Sequence, residues 1–502
     1  MRDVRRQILD GTERNGRELD RRDFLRASAA AMVPLIARPF VRARQGRTAS
    51  GNPVVVVGAG LAGLRAAELL HKAGAPVVVL EARSRPGGRV HTIRAPFAER
   101  LSAEAGAIRI PPQHETVIQL AKEHGLNLVP FESLGGSALI TVRGVTAQVP
   151  DDLKKATAML ALKPEEQGLG QGGLLQRYVG DLPANLADPN PPAAAYEEWR
   201  AYDQVTWPAW LRSRGASDDA IALMTLGGDS RELSALYVLR QFALLQKANQ
   251  FYKIHGGMDQ LPRAMARALG AIVRYNAAVE RIEQTDSGVE LGYVERGRKK
   301  TVRASRAILA MPFSTLRRVE IRPGFSSGKA AAIATLPYFP ATRLLFQCRG
   351  SFWQPMGLSG TARGDQPAEM WDCTYDFDAT RGILGATVGG EFGQKLAGMT
   401  RARAMGLGTK LVAQTFPEMT RQFERGAVYR WTLDQWARGA FAVFHPGQMS
   451  AIMPDIARPE GRIHFAGEHT SSWMGWMQGA IESGERAARE VLEGTTARSA
   501  AL

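Results

Sequence analysis

The sequence predicts an α/β fold built around a strand, a glycine turn and a helix, and three observations predict it. Val54-Val55-Val56-Val57 is a run of four β-branched residues, the signature of a short buried strand. Gly58-Ala59-Gly60-Leu61-Ala62-Gly63-Leu64 follows at once, leading into a helix whose apolar face is spaced by Leu61, Leu64, Leu69 and Leu70. A second strand, Pro76-Val77-Val78-Val79-Leu80, closes on Glu81, 23 residues after Gly58.

Each element has a physical role in holding a dinucleotide. Gly58 permits the sharp turn, Gly60 the close approach of a pyrophosphate, and Gly63 tight packing of helix on strand. The helix start offers free N–H groups and its positive dipole end to phosphate. Glu81 stands where an acid accepts hydrogen bonds from a ribose. Arg83-Ser84-Arg85-Pro86-Gly87-Gly88-Arg89 then forms a turn whose backbone can lie against the cofactor while its guanidiniums face phosphate.

The 502 residues are enough for two or three domains, and 45% hydrophobic with 23% charged residues is ordinary for a globular chain. The formal charge is +15, but 12 basic and six acidic residues fall in the first 50 positions, leaving +9 dispersed over the rest. Such dispersion favours anionic small ligands over nucleic acid. Cys348 and Cys373 are too few for a disulfide framework and lack metal-ligand spacing; they either pair or stay as buried free thiols.

Residues 1–50 read as an export segment. Arg21-Arg22-Asp23-Phe24-Leu25 precedes the mild apolar run Ala27 to Ala37, resembling a twin-arginine signal, with Val41-Arg42-Ala43 as a cleavage site. The expectation is a product exported to the periplasm or medium through the Tat translocase, with no integral membrane contact.

Further along, His114 to Gly125 has helical periodicity, and Ser133 to Val149 contains strand-like runs. Residues 151–247 are mostly helical, broken by the glycine turn at 168–173 and a proline-rich segment at 183–192. Strands are predicted at Ile272 to Tyr275, Val279 to Ile282, Val289 to Tyr293, Thr301 to Arg303, Arg306 to Leu309, Leu344 to Cys348 and Ile383 to Val388. Helices are predicted from Gln260 to Leu269 and Gly406 to Phe416. The end regains motif density: Ile463-His464-Phe465-Ala466-Gly467-Glu468 is strand, turn and acid, and Gly475-Trp476-Met477-Gln478-Gly479-Ala480 opens a last helix.

With these motifs at both ends, the chain resembles the flavin-containing amine oxidase family, and within it the bacterial L-amino-acid oxidases, over roughly residues 52–495. The resemblance implies an α/β fold with an FAD-binding Rossmann-like domain (GR2 type), a mixed α+β substrate domain and an inserted helical subdomain. The implied order is FAD-binding parts at 51–112, 251–318 and 451–495, substrate-domain parts at 113–250 and 319–450, and a tail at 496–502. It implies noncovalent FAD, because no cysteine lies near Ser471 to Gly475, and a homodimer. The FAD contacts it implies are Gly58, Ala59, Gly60, Gly63, Glu81, Ala82, Arg83, Gly88, Arg89, Gly106, Ala107, Ile108, Arg109, Val279, Trp436, Gly467, Glu468, Gly475, Trp476, Met477 and Ala480.

Ala105-Gly106-Ala107-Ile108-Arg109-Ile110-Pro111 is similar to the segment of L-amino-acid oxidases whose arginine grips the substrate carboxylate, a task suited to the guanidinium fork. Trp476 resembles the aromatic wall beside the flavin, with Trp371, Tyr375 and Phe441 as candidates for the opposite wall. Arg343 stands where the family usually carries a lysine linked through water to the flavin. The implied reaction is oxidative deamination of an L-α-amino acid, apolar or aromatic, with oxygen, giving a 2-oxo acid, ammonia and hydrogen peroxide. The alternatives are a monoamine or polyamine oxidase, a decarboxylating amino-acid 2-monooxygenase, and a non-catalytic flavoprotein.

Overall fold

Five short parallel strands carry the glycine turn. In sheet order they are Ile463–Phe465, Arg306–Leu309, Val54–Val57, Val77–Leu80 and Val273–Arg274. Val54–Val57 lies at the centre, in register with Arg306 on one side and Val77 on the other, and all four of its residues are buried. A strand covered on both faces gains from four consecutive apolar residues, which is why the run does not alternate. This computed structural model describes residues 51–499 except 132–134, 150, 151, 153–156, 159, 229, 247, 249 and 366–368. The twin-arginine segment and its cleavage site lie outside the described residues.

Helix Leu61–Lys72 packs on this sheet and against the last helix, Met477–Ser499. Small residues make the contact close: a Cβ at Gly484 would sit 2.2 Å from the carbonyl oxygen of Ala62. Gly63 is tighter still, its hypothetical Cβ 1.9 Å from the Gly58 oxygen.

Two further sheets complete the frame. A four-stranded sheet runs Arg298–Ala304, Val289–Glu295, Ala277–Gln284, Glu320–Arg322. A seven-stranded sheet runs Phe423–Arg430, Ala341–Cys348, Gly382–Gly389, Glu369–Asp372, Leu358–Gly364, Ser137–Val142, Val145–Val149. The helical stretch includes Gln171–Val179, Trp207–Ser213, Asp218–Met224 and Ala235–Leu245. Thr206, Ser217 and Ser234 cap the last three, each side chain accepting from a first-turn N–H. The glycine turn breaks this stretch at 167–170, as expected, but its second half enters a helix, since Gly172 and Gly173 lie inside Gln171–Val179. Cys348 and Cys373 are buried free thiols. Among the described residues no helix is long and apolar enough to cross a membrane.

Candidate active site

A cavity of about 500 Å³ begins at the glycine turn and reaches the seven-stranded sheet. Gly58 and Gly60 line it at the C-terminal end of the central strand, where a βα unit presents its backbone to a ligand. Gly60 caps helix Leu61–Lys72 without a side chain, so it has no acceptor of its own to offer the first-turn N–H groups. Glu81 lines the same end. Its carboxylate accepts from the backbone N–H of Ala59 at 2.7 Å and of Arg83 at 2.8 Å, and burial raises its pKa.

The other predicted cofactor contacts gather around these. Ala82, Arg83, Gly88, Arg89, Gly106, Ala107, Ile108, Arg109 and Val279 line the cavity, as do Trp436, Gly467, Glu468, Gly475, Trp476, Met477 and Ala480. Ala59 and Gly63 do not. They stand one layer behind, Ala59 tying the turn to Glu81 and Gly63 packing against Gly58 and Ala310.

Both Arg83 and Arg89 reach the cavity, each with part of its guanidinium engaged by the protein. Arg83 donates two hydrogen bonds to Asp434, at 2.8 and 2.6 Å. Arg89 donates to Glu468 at 2.6 Å and to the Ala440 carbonyl at 3.2 Å. Arg85 donates to the carbonyls of Pro86, Gly88 and Val90 and so buttresses the turn. Glu468 also accepts from the N–H of Gly475 at 2.7 Å; burial pushes its pKa up, but Arg89 and His469 outweigh burial and hold it low.

At the far end the seven-stranded sheet supplies charge. Arg343, Thr387 and Glu369 are directly opposed on three adjacent antiparallel strands, so they form one row on one face. All three line the cavity. Arg343 donates to Thr387 Oγ1 at 2.9 Å and to the Gly106 carbonyl at 3.1 Å. Burial lowers its pKa to about 10, so it remains cationic at neutral pH. Arg109 donates to Glu369 through Nη2, and its guanidinium lies over Phe131 at 4.8 Å and Phe251 at 5.6 Å. Burial pushes the Glu369 pKa up, and Arg109 more than reverses this, leaving it below the ordinary carboxylate range.

Trp476 and Phe441 line the cavity, whereas Trp371 and Tyr375 do not. Trp371 shares a face with Glu369, but the Arg343 guanidinium covers its ring at 4.7 Å. It borders a separate space of about 20 Å³ with Glu104 and Lys253, roughly the room one water needs. Tyr375 donates its hydroxyl to the Pro130 carbonyl and lies under Lys253, which fixes it away from the cavity.

Sequence reasoning missed Glu369, whose importance arises from register alone, and Gln241, which accepts a hydrogen bond from Trp476 Nε1 at 2.8 Å. The i, i+4 pair Tyr237 and Gln241, both cavity-lining on helix Ala235–Leu245, was the available signal for the latter.

The residues present fit a flavin dinucleotide: a side-chain-free helix start, an acid at the second strand end, and a long cavity reaching an apolar and charged far wall. Neither cysteine lines the cavity, so no thiol stands ready for a covalent bond.

Comparison with known proteins agrees. The family described as flavin containing amine oxidoreductase matches residues 61–492. The chain is 31% identical to the putative L-amino-acid oxidase YobN of Bacillus subtilis over 89% of its length and 96% of the relative's. It is 31% identical to the L-amino-acid oxidase of Vipera ammodytes ammodytes, over 89% and 95%. Among solved structures, putrescine oxidase superposes with a TM-score of 0.76 at 24% identity, covering 88% of this chain and 99% of that one. Cyclohexylamine oxidase from Brevibacterium oxydans gives 0.74 at 25%, covering 89% and 100%. FAD is the cofactor, held noncovalently. The chain belongs to the flavin-containing amine oxidase family, as an FAD-dependent oxidoreductase that oxidises an amine or amino-acid substrate and yields hydrogen peroxide.

Proposed function

We propose that the substrate is a primary amine without an α-carboxylate. The Arg109–Glu369 pair supports this reading: the guanidinium suited to a substrate carboxylate already holds one from the protein. A second carboxylate beside Glu369 meets a like charge and finds the Arg109 fork already engaged. The cyclohexylamine oxidase likeness supports the same direction. Leu233, Tyr237, Phe441 and Trp476 give the substrate body a largely apolar wall.

A bound FAD, which Gly58, Gly60 and Glu81 would hold at one end and Trp476 at the other, would supply two-electron oxidation of the amine with oxygen as the final acceptor. The chain contributes orientation and exclusion of water. Trp476, held by Gln241, and Phe441, stacked on Phe339 at 5.1 Å, fix the walls. Arg343 supplies fixed positive charge and N–H donors; its proton is bound too tightly for a relay near neutral pH. Hydrolysis of the resulting imine gives an aldehyde or ketone, according to the carbon bearing the amine, and ammonia.

A second reading, oxidation of an L-α-amino acid, is favoured by the charge at this end. Two guanidiniums face one carboxylate, leaving one positive charge in excess, and the curated relatives are named L-amino-acid oxidases. Anaerobic mixing with matched pairs, such as phenethylamine and L-phenylalanine, decides between them through the rate of flavin bleaching. Faster bleaching by amines is the expected result; faster bleaching by amino acids establishes the second reading, and none from either refutes both.

Export through the twin-arginine route is a further part of this reading, supported by Arg21-Arg22 ahead of the alanine-rich run. Replacing both arginines by lysine is expected to retain the protein in the cytoplasm, as fractionation would register.

A further inference from the structure

We infer that Glu369 determines substrate choice: it is a resident carboxylate that occupies Arg109 and turns away substrates carrying their own. The inference rests on the amine reading above and gives it a cause.

Three observations carry it. Glu369 and Arg109 are each only part-buried at the side chain, 20% and 16% exposed, and both line the cavity, so the pair faces the substrate. Glu369 is fixed by strand pairing to Thr387, and Arg343 is fixed to the same row, so the carboxylate cannot drift from the charge cluster as a loop residue could. Arg109 has a second anchor besides Glu369. The faces of Phe131 and Phe251 hold its guanidinium at 4.8 and 5.6 Å, a cation–π arrangement that survives loss of the ion pair.

The consequence is a change of charge without a change of shape. With Glu369 present, Arg109 and Arg343 leave this wall at +1; with glutamine there, the wall is +2 and Arg109 is free to form its two-pronged bond to a carboxylate. Selectivity of this kind comes from repelling the wrong ligand as much as from attracting the right one.

The test uses FAD-loaded Glu369→Gln. Two readouts are taken: the ratio of kcat/KM for L-phenylalanine over phenethylamine, and the Kd of 3-phenylpropionate, a carboxylate that cannot be oxidised, from its perturbation of flavin absorbance. Relative to wild type, the ratio is expected to rise and the Kd to fall, each by roughly 100-fold, the scale of adding one charge-assisted bidentate contact and removing one like charge. Adding Arg109→Ala should erase both gains. If Glu369→Gln loses its flavin, Glu369→Met, also neutral and of similar length, takes its place. An unchanged ratio and Kd, or gains that persist without Arg109, would overturn the inference. Failure of the amine reading is visible separately: a wild type that prefers L-phenylalanine sinks that reading, whereas a rise in carboxylate affinity on neutralising Glu369 still establishes its screening role.

Discussion

The two ends of the cavity recognise their ligands by opposite means. At the cofactor end the work falls to backbone geometry, with Gly58 at φ 105°, Gly63 against the Gly58 carbonyl, and Glu81 held by two backbone N–H groups. The charged side chains there are neutralised by one another, Arg83 by Asp434 and Arg89 by Glu468. At the substrate end the backbone recedes, and a row of side chains from three strands meets Arg109 from a distant segment. The glycine-turn end is shaped chiefly by backbone that glycines and Glu81 hold in place. The substrate end is shaped by side chains, which one substitution can alter.

Substitutions should therefore fail differently at the two ends. The largest effect is expected for Gly63→Ala, whose Cβ would lie 1.9 Å from the Gly58 oxygen with only backbone to move. Misfolding or complete loss of FAD is expected, read as the 450 to 280 nm absorbance ratio of the purified protein. Retained FAD there would break the comparison. Next comes Asp434→Ala, which strands Arg83 in a mostly buried site; removing one partner of such a pair costs about 3–5 kcal/mol. A calorimetric melt should show the loss, together with weaker FAD retention.

Behind the substrate end, burial raises Glu104 to about 7, while its bonds from Thr92 and the Met258 N–H only partly offset this. Between about pH 4.5 and 7 the folded chain holds a proton that the unfolded chain has released. Stability from this residue is therefore full at low pH and declines as pH rises through that window, by on the order of 3 kcal/mol. Glu104→Gln should flatten the decline in denaturant titrations at pH 5 and 8. The smallest effect is Gln241→Leu, which removes the acceptor for Trp476 Nε1 and should raise KM by roughly fivefold, the scale of about 1 kcal/mol, without loss of FAD. Gln241→Glu retains an acceptor oxygen and should restore most of it.

What was legible in the sequence follows the same division. The glycine turn, Glu81 and the final Gly467-Glu468 pair could be read because each sits within a short contiguous motif. The partner of Arg83 could not be read, because Asp434 lies 351 residues away. Strand alternation puts Glu369 and Trp371 on one face but does not say which of them reaches the cavity; the guanidinium of Arg343, over Trp371, decides it. The neighbour of Arg109 could not be read either, because Glu369 lies 260 residues away.

The order of the five-stranded sheet has a consequence for how the protein is made. Its outer strand, Ile463–Phe465, docks on Arg306–Leu309, which docks on Val54–Val57, and the last helix closes over the first. At ~5–20 residues per second a ribosome takes roughly 20–80 s to travel from the first of these strands to the last. Until Arg306–Leu309 emerges, Val54–Val57 has a neighbour on one side only, an edge open to pairing with other chains. The wall formed between Gly467 and Ala480 follows every other part of the cavity in the chain, so the pocket is complete only once that wall has been made.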